Sequence, residues 1–131
     1  MEVKIDMNKG QKIEAIFNEA ESLYNEAIEM LKEGKIRDAT KRAWTSTVKA
    51  TSALILAKTG IEIDGLKRLI VAFRQLSRKD REVEKRIKDR FFTQQQFLSG
   101  CCTYIDSREQ VEEKIKETIE YIKEARRLAG R

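Results

Sequence analysis

The chain has 131 residues, 40% of them hydrophobic and 37% charged, and a formal net charge of +5. This length buries a core without disulfide or metal staples, and no apolar run approaches the roughly 20 residues a bilayer requires. Proline and histidine are both absent, so long helices need no interruption and the commonest general acid–base side chain and imidazole ligand are missing.

Residues 1 to 10 are expected to form a flexible lead-in, with Val3 and Ile5 touching the body. They lack the apolar core of a signal peptide, and a cytoplasmic location is expected. A first helix is predicted from about Gln11 to Glu33, since Ile13, Ile16, Phe17, Ala20, Leu23, Tyr24, Ala27, Ile28 and Leu31 recur at three- and four-residue spacing. Gly34 stops it, and the short connection Lys35 to Arg37 sends the second helix back antiparallel.

The second helix, Asp38 to Lys58, is the predicted centre of the fold. From Ala43 to Ala57 it carries one charge, Lys49. A helix apolar over most of its circumference needs neighbours on several sides, and alanines at 39, 43, 50, 53 and 57 let them come close. Thr59-Gly60 ends it. After a loop over Ile61 to Gly65, Asp64 is expected to cap a shorter third helix bearing Leu66, Leu69, Ile70, Phe73 and Leu76. Ser77 and Asp80 resemble a capping box for a fourth helix, with the stripe Val83, Ile87, Phe91, Leu98, Cys101 and Ile105 and a weak point at Gly100. Asp106-Ser107 followed by Glu109 and Gln110 starts a fifth, with Val111, Ile115, Thr118, Ile122, Ala125 and Ala129 inward. The prediction is one all-α domain: an up-and-down bundle of four long helices plus one short one.

Two stretches carry a family resemblance. In the first, Leu31-Lys32-Glu33-Gly34 is followed by Ala39, by Lys41 with Trp44, and by the alanine-rich run Ala50 to Ala57; the second is Gly100 to Ala125. Together they resemble the HEPN superfamily of nucleotide-binding helical domains, specifically its archaeal PaREP-type branch. The resemblance implies a four- or five-helix bundle, commonly a homodimer, in a superfamily holding ribonuclease toxins, nucleotide-transfer partners and inert members. The nuclease branches need an arginine followed four to six residues later by a histidine. Here Arg90 is followed by Phe91, Phe92, Thr93, Gln94, Gln95 and Gln96, and Cys101 takes the place of the histidine expected in the PaREP-type fourth helix. Cleavage by the family mechanism is therefore not expected.

Positive charge gathers between Lys67 and Arg90, where ten basic residues stand against four acidic ones, a net of +6. These cations either hold phosphates of RNA, DNA or a nucleotide, or form a solvated face paired locally, Glu82 with Arg86 and Glu84 with Lys88. Phe91, Phe92, Phe97 and Tyr104 follow; core or dimer packing is the commoner fate of such aromatics than base stacking. Of these, Phe92 lies off the stripe. At least one of Gln94, Gln95 and Gln96 must turn inward or toward a partner helix, which suggests a polar dimer seam. Helix one carries Glu14, Glu19, Glu21, Glu26, Glu29 and Glu33, expected as a solvated face opposite the basic region. The adjacent Cys101 and Cys102 neither bridge each other readily nor make a zinc motif.

The leading expectation is a dimeric, non-catalytic binding module without cofactor or metal, holding nucleic acid or nucleotide through Arg78, Lys79, Arg81, Lys85, Arg86 and Arg90. The alternative is a protein-interaction subunit of a toxin–antitoxin-like pair, binding its partner through Phe92, Gln95 and Gln96. A third reading is a degenerate ribonuclease using Arg90 and Tyr104.

Overall fold

A computed structural model describes residues 8–100 and 107–131, which form five helices and no strand. Helix α1 spans Lys9–Lys32, α2 Ile36–Thr59, α3 Leu66–Lys79, α4 residues 81–99 and α5 Arg108–Leu128. The expected all-α architecture of four long helices and one short one is present. Val3 and Ile5 lie outside the described residues, as do Cys101, Cys102, Tyr104, Ile105 and Asp106.

Local chemistry sets the helix ends. Asn8 caps α1 with a reciprocal Asn8–Gln11 capping box, which starts the helix two residues ahead of the predicted Gln11. At the other end Gly34 adopts φ +78°, its N–H bonding to the Leu31 carbonyl while that of Lys35 reaches Met30. This paired closure satisfies carbonyls the helix end leaves open, and α2 turns back along α1. Gly60, at φ +75°, closes α2. The cap of α3 is Gly65 with no side-chain bond, so Asp64 does not play the part expected of it. Asp80 alone caps α4, accepting from the Glu82 and Val83 N–H groups, while Ser77 is buried and donates to the Phe73 carbonyl. Ser107 and Gln110 form a capping box at the predicted start of α5.

The centre of the bundle is α2, which touches each of the other four helices. Its buried residues include Ala39, Ala43, Ala50 and Ala53, all at 0% exposure, beside Leu54 and Ile55. The small side chains let α1 and α5 approach α2 closely, and these two helices also touch each other. Two buried clusters result, one around Phe17, Leu54, Phe73, Phe91 and Tyr121, the other around Ala27, Ala43, Leu98 and Ile115. Trp44 packs against both. Phe91 is the aromatic hub, with ring centroids 4.8 Å from Phe73, 5.1 Å from Phe92 and 5.7 Å from Trp44. No described helix is long and apolar enough to cross a membrane.

Candidate nucleic-acid interface

Helix α4 is irregular in a way its sequence does not announce. Two π-helical turns, Glu84–Lys88 and Gln95–Ser99, flank the α-helical segment Asp89–Gln94. A π turn closes residue i onto i+5, so neighbours four apart no longer stack. The expected Glu82–Arg86 ion pair is present, whereas Glu84 and Lys88, at the two ends of the first wide turn, make none among the described residues.

All six cations proposed from the sequence are exposed. Arg78 and Lys79 end α3, where positive charge also complements the helix dipole. The others lie along α4. Arg81 and Lys85 line a concavity of about 570 Å³ with Lys88, Glu82, Glu84 and Asp89. Lys85 continues into an adjoining one of about 510 Å³ with Arg86, Arg90, Asp89 and Glu124. Asp89 and Arg90 then enter a third of about 470 Å³ between α4 and α5, where Thr93, Gln94, Lys114, Glu117, Glu120 and Tyr121 complete the wall. Because successive concavities share residues, they make one furrow running beside α4. Arg78 and Lys79 line none of the three.

The inner wall of the furrow is fixed by buried hydrogen bonds. Gln94, 4% exposed, donates from Nε2 to Thr118 Oγ1 at 2.8 Å and, more weakly, toward Thr47 Oγ1 and the Lys114 carbonyl at 3.5 and 3.4 Å. Tyr121 places its hydroxyl 2.6 Å from Thr51 Oγ1. Burial raises the Tyr121 pKa well above the ordinary tyrosine range, with the Thr51 contact opposing in part. Its hydroxyl therefore remains protonated at neutral pH. Gln94 is the inward-facing glutamine that the sequence required, and the partners of its amide belong to the same chain rather than to a dimer seam. Gln95 is half-buried and Gln96 exposed. Phe92 is half-buried, with the Arg74 guanidinium 4.9 Å above its ring.

Charge compensation differs sharply between α1 and the basic segment. Every one of the six glutamates expected as a solvated acidic face has a cation: Glu14 and Glu21 hold Arg126, Glu19 meets Lys49, Glu26 Arg42, Glu29 Lys32 and Glu33 Lys35. Between Lys67 and Arg90, by contrast, Arg86 alone of the ten basic residues has a carboxylate within 4 Å among the described residues. Glu82 is taken by Arg86, and Asp80 by Lys58 at 3.0 Å. From Arg78 to Arg90 this leaves Arg78, Lys79, Arg81, Lys85, Lys88 and Arg90 without an ion pair, with Glu84 and Asp89 as the unpaired carboxylates of that stretch among the described residues. Glu124, across the furrow, has a lowered pKa, chiefly through its hydrogen bond from Arg127, with burial opposing and smaller contributions from the Arg127, Arg86 and Arg90 charges.

The model of the archaeal PaREP1/PaREP8 family matches residues 15–98, from the first turns of α1 to the end of α4. The chain belongs to this family. The matched region contains the whole basic segment, the first π turn and all but the last residue of the second in this PaREP1/PaREP8 chain, while α5, which supplies Lys114, Glu117 and Tyr121, lies beyond it. No curated protein matches the sequence.

Sequence reasoning missed the α5 wall. The sequence pattern places Thr118 as one more inward position and leaves Tyr121 out of the inward set. A usable signal existed: a polar residue in an apolar stripe, Thr118, alongside a helix with a glutamine run, implies that the two meet in the core. Tyr104, the proposed partner of Arg90 in a degenerate nuclease, lies outside the described residues.

Proposed function

We propose that this chain is a non-catalytic, HEPN-like helical binding module that holds single-stranded nucleic acid or a nucleotide along the α3–α4 elbow. The observation that carries the reading is the imbalance of compensation: the acidic residues of α1 are neutralised within the chain, whereas the elbow keeps a surplus of exposed cations. A polyanion supplies the missing charge and releases its own counterions on doing so. The furrow beside α4 gives the backbone a path from Arg81 past Lys85 to Arg90.

Binding without catalysis suits the residues around Arg90. The chain has no imidazole, and the phenol in the furrow wall, Tyr121, is buried and holds its proton. Proton transfer beside Arg90 would fall to the carboxylates Asp89, Glu117 and Glu120, without the arginine–histidine pair that the nuclease branches use. Dimerisation through Phe92 and Gln96, one turn apart on α4, belongs to the same proposal. Anisotropy of labelled single-stranded RNA, titrated with the wild-type chain and with Arg81→Glu/Lys85→Glu, tests the reading. Binding that the double reversal abolishes supports it; no binding at low salt, or equal binding by both proteins, refutes it.

A further inference from the structure

The described residues leave three large hydrophobic side chains exposed: Ile61 at 58%, Leu66 at 40% and Val71 at 56%. All three belong to α3 or to the loop that leads into it. Beside them runs a groove of about 400 Å³ lined by Ile63, Val71, Ala72, the side chains of Lys67 and Arg68, and Gln75. The apolar face of α3 that packs the core is a different one, formed by Leu69, Phe73 and Leu76. Val71 and its neighbours therefore form a second apolar surface on the same short helix. It is separate from the furrow beside α4 and owes nothing to the charge surplus there.

Two arguments narrow what covers it. Helix α3 carries Lys67, Arg68, Arg74, Arg78 and Lys79 and no acidic residue. Two copies laid groove to groove would face Lys67 and Arg68 of one against those of the other, with Asp64 of each loop as the nearby carboxylate left, since Glu62 is already held by Lys12. An occupant rich in carboxylates has no such difficulty. Nucleic acid would satisfy the cations but bring no aliphatic surface to Ile61, Leu66 and Val71.

We propose that this groove docks an acidic amphipathic helix of another protein, its apolar stripe inserted between Ile63 and Val71 and its carboxylates meeting Lys67 and Arg68. This is a helix-in-groove contact read by apolar anchors one turn apart. The test is selection of a random-peptide display library on the immobilised chain, followed by anisotropy with the synthesised winning peptide. Enriched peptides should be net acidic with apolar residues at i, i+4 and i+7, and Val71→Glu should weaken them about tenfold or more by placing a like charge in the groove. Because Val71 is exposed, this variant keeps the wild-type melting temperature; Val71→Ser provides a second check without added charge.

Selection of no peptide, of peptides without the acidic stripe, or of peptides that bind Val71→Glu as well as wild type would overturn the proposal. So would a self-association in sedimentation velocity that Val71→Glu removes, which would give the groove to a second copy. Retention on phosphatidylglycerol vesicles that the same substitution abolishes would give it to lipid and would likewise overturn the helix reading.

Discussion

Single-stranded RNA bound along the elbow should lose affinity steeply with salt, and the loss can be worked from the unpaired charges. Six cations without an ion pair, Arg78, Lys79, Arg81, Lys85, Lys88 and Arg90, stand against the unpaired Glu84 and Asp89, an effective surplus of four. With a slope of about 0.7 per neutralised phosphate for a single strand, log affinity should fall against log salt with a slope of about −3, or about 50-fold from about 50 to about 200 mM. Replacing Arg81, Lys85 and Arg90 together by glutamine removes three of these contacts and should flatten the slope by about 2. All three side chains are exposed, and none makes an ion pair among the described residues, so circular dichroism and melting temperature should not change. The assay is anisotropy of a labelled oligonucleotide at four salt concentrations for both proteins. A wild-type slope near zero, or an unchanged slope in the triple variant, would refute placement of the phosphates on this elbow.

Other outcomes follow from the same geometry. Gln94→Ala should cost about 2 kcal/mol in urea unfolding, from a cavity and a lost buried hydrogen bond. Gln94→Met should cost less than about 1 kcal/mol, since it conserves volume and the Thr47 and Thr118 hydroxyls still donate to the Ala43 and Lys114 carbonyls. Arg126 joins α5 to α1 through Glu14, Glu21 and Asn18 and lies 5.0 Å over the Phe17 ring; Arg126→Ala should destabilise by about 2 kcal/mol, with lysine restoring only part because it lacks the planar fork. Burial raises the Asp80 pKa, but the Lys58 hydrogen bond and the Val83 and Glu82 N–H groups outweigh it and leave it below the ordinary value. A depressed folded pKa contributes stability that is present above the unfolded value of about 4 and is lost as pH falls through the folded one. Asp80→Asn, which still caps α4, should remove that acid-side loss in unfolding measured at about pH 6 and about pH 3.

The sequence by itself determined the helices and their centre. The low charge and recurrent alanines of Asp38 to Lys58 required a helix covered on several sides, and α2 touches all four others. Gly34 and Gly60 end helices because they adopt positive φ, and Ser107 with Gln110 starts one because both satisfy open N–H groups. These are local effects, set by residues within a few positions of one another. Tertiary structure decided the rest. Which of three successive glutamines turned inward depended on where Thr118 and Thr47 stood on other helices. The loss of the Glu84–Lys88 pair depended on a π turn with no marker in the sequence. The neutralisation of Glu14 and Glu21 depended on Arg126, more than a hundred residues away along the chain. Composition counts charges, but only the packed helices settle which have partners. On that difference rests the distinction between a solvated face and a surface that binds.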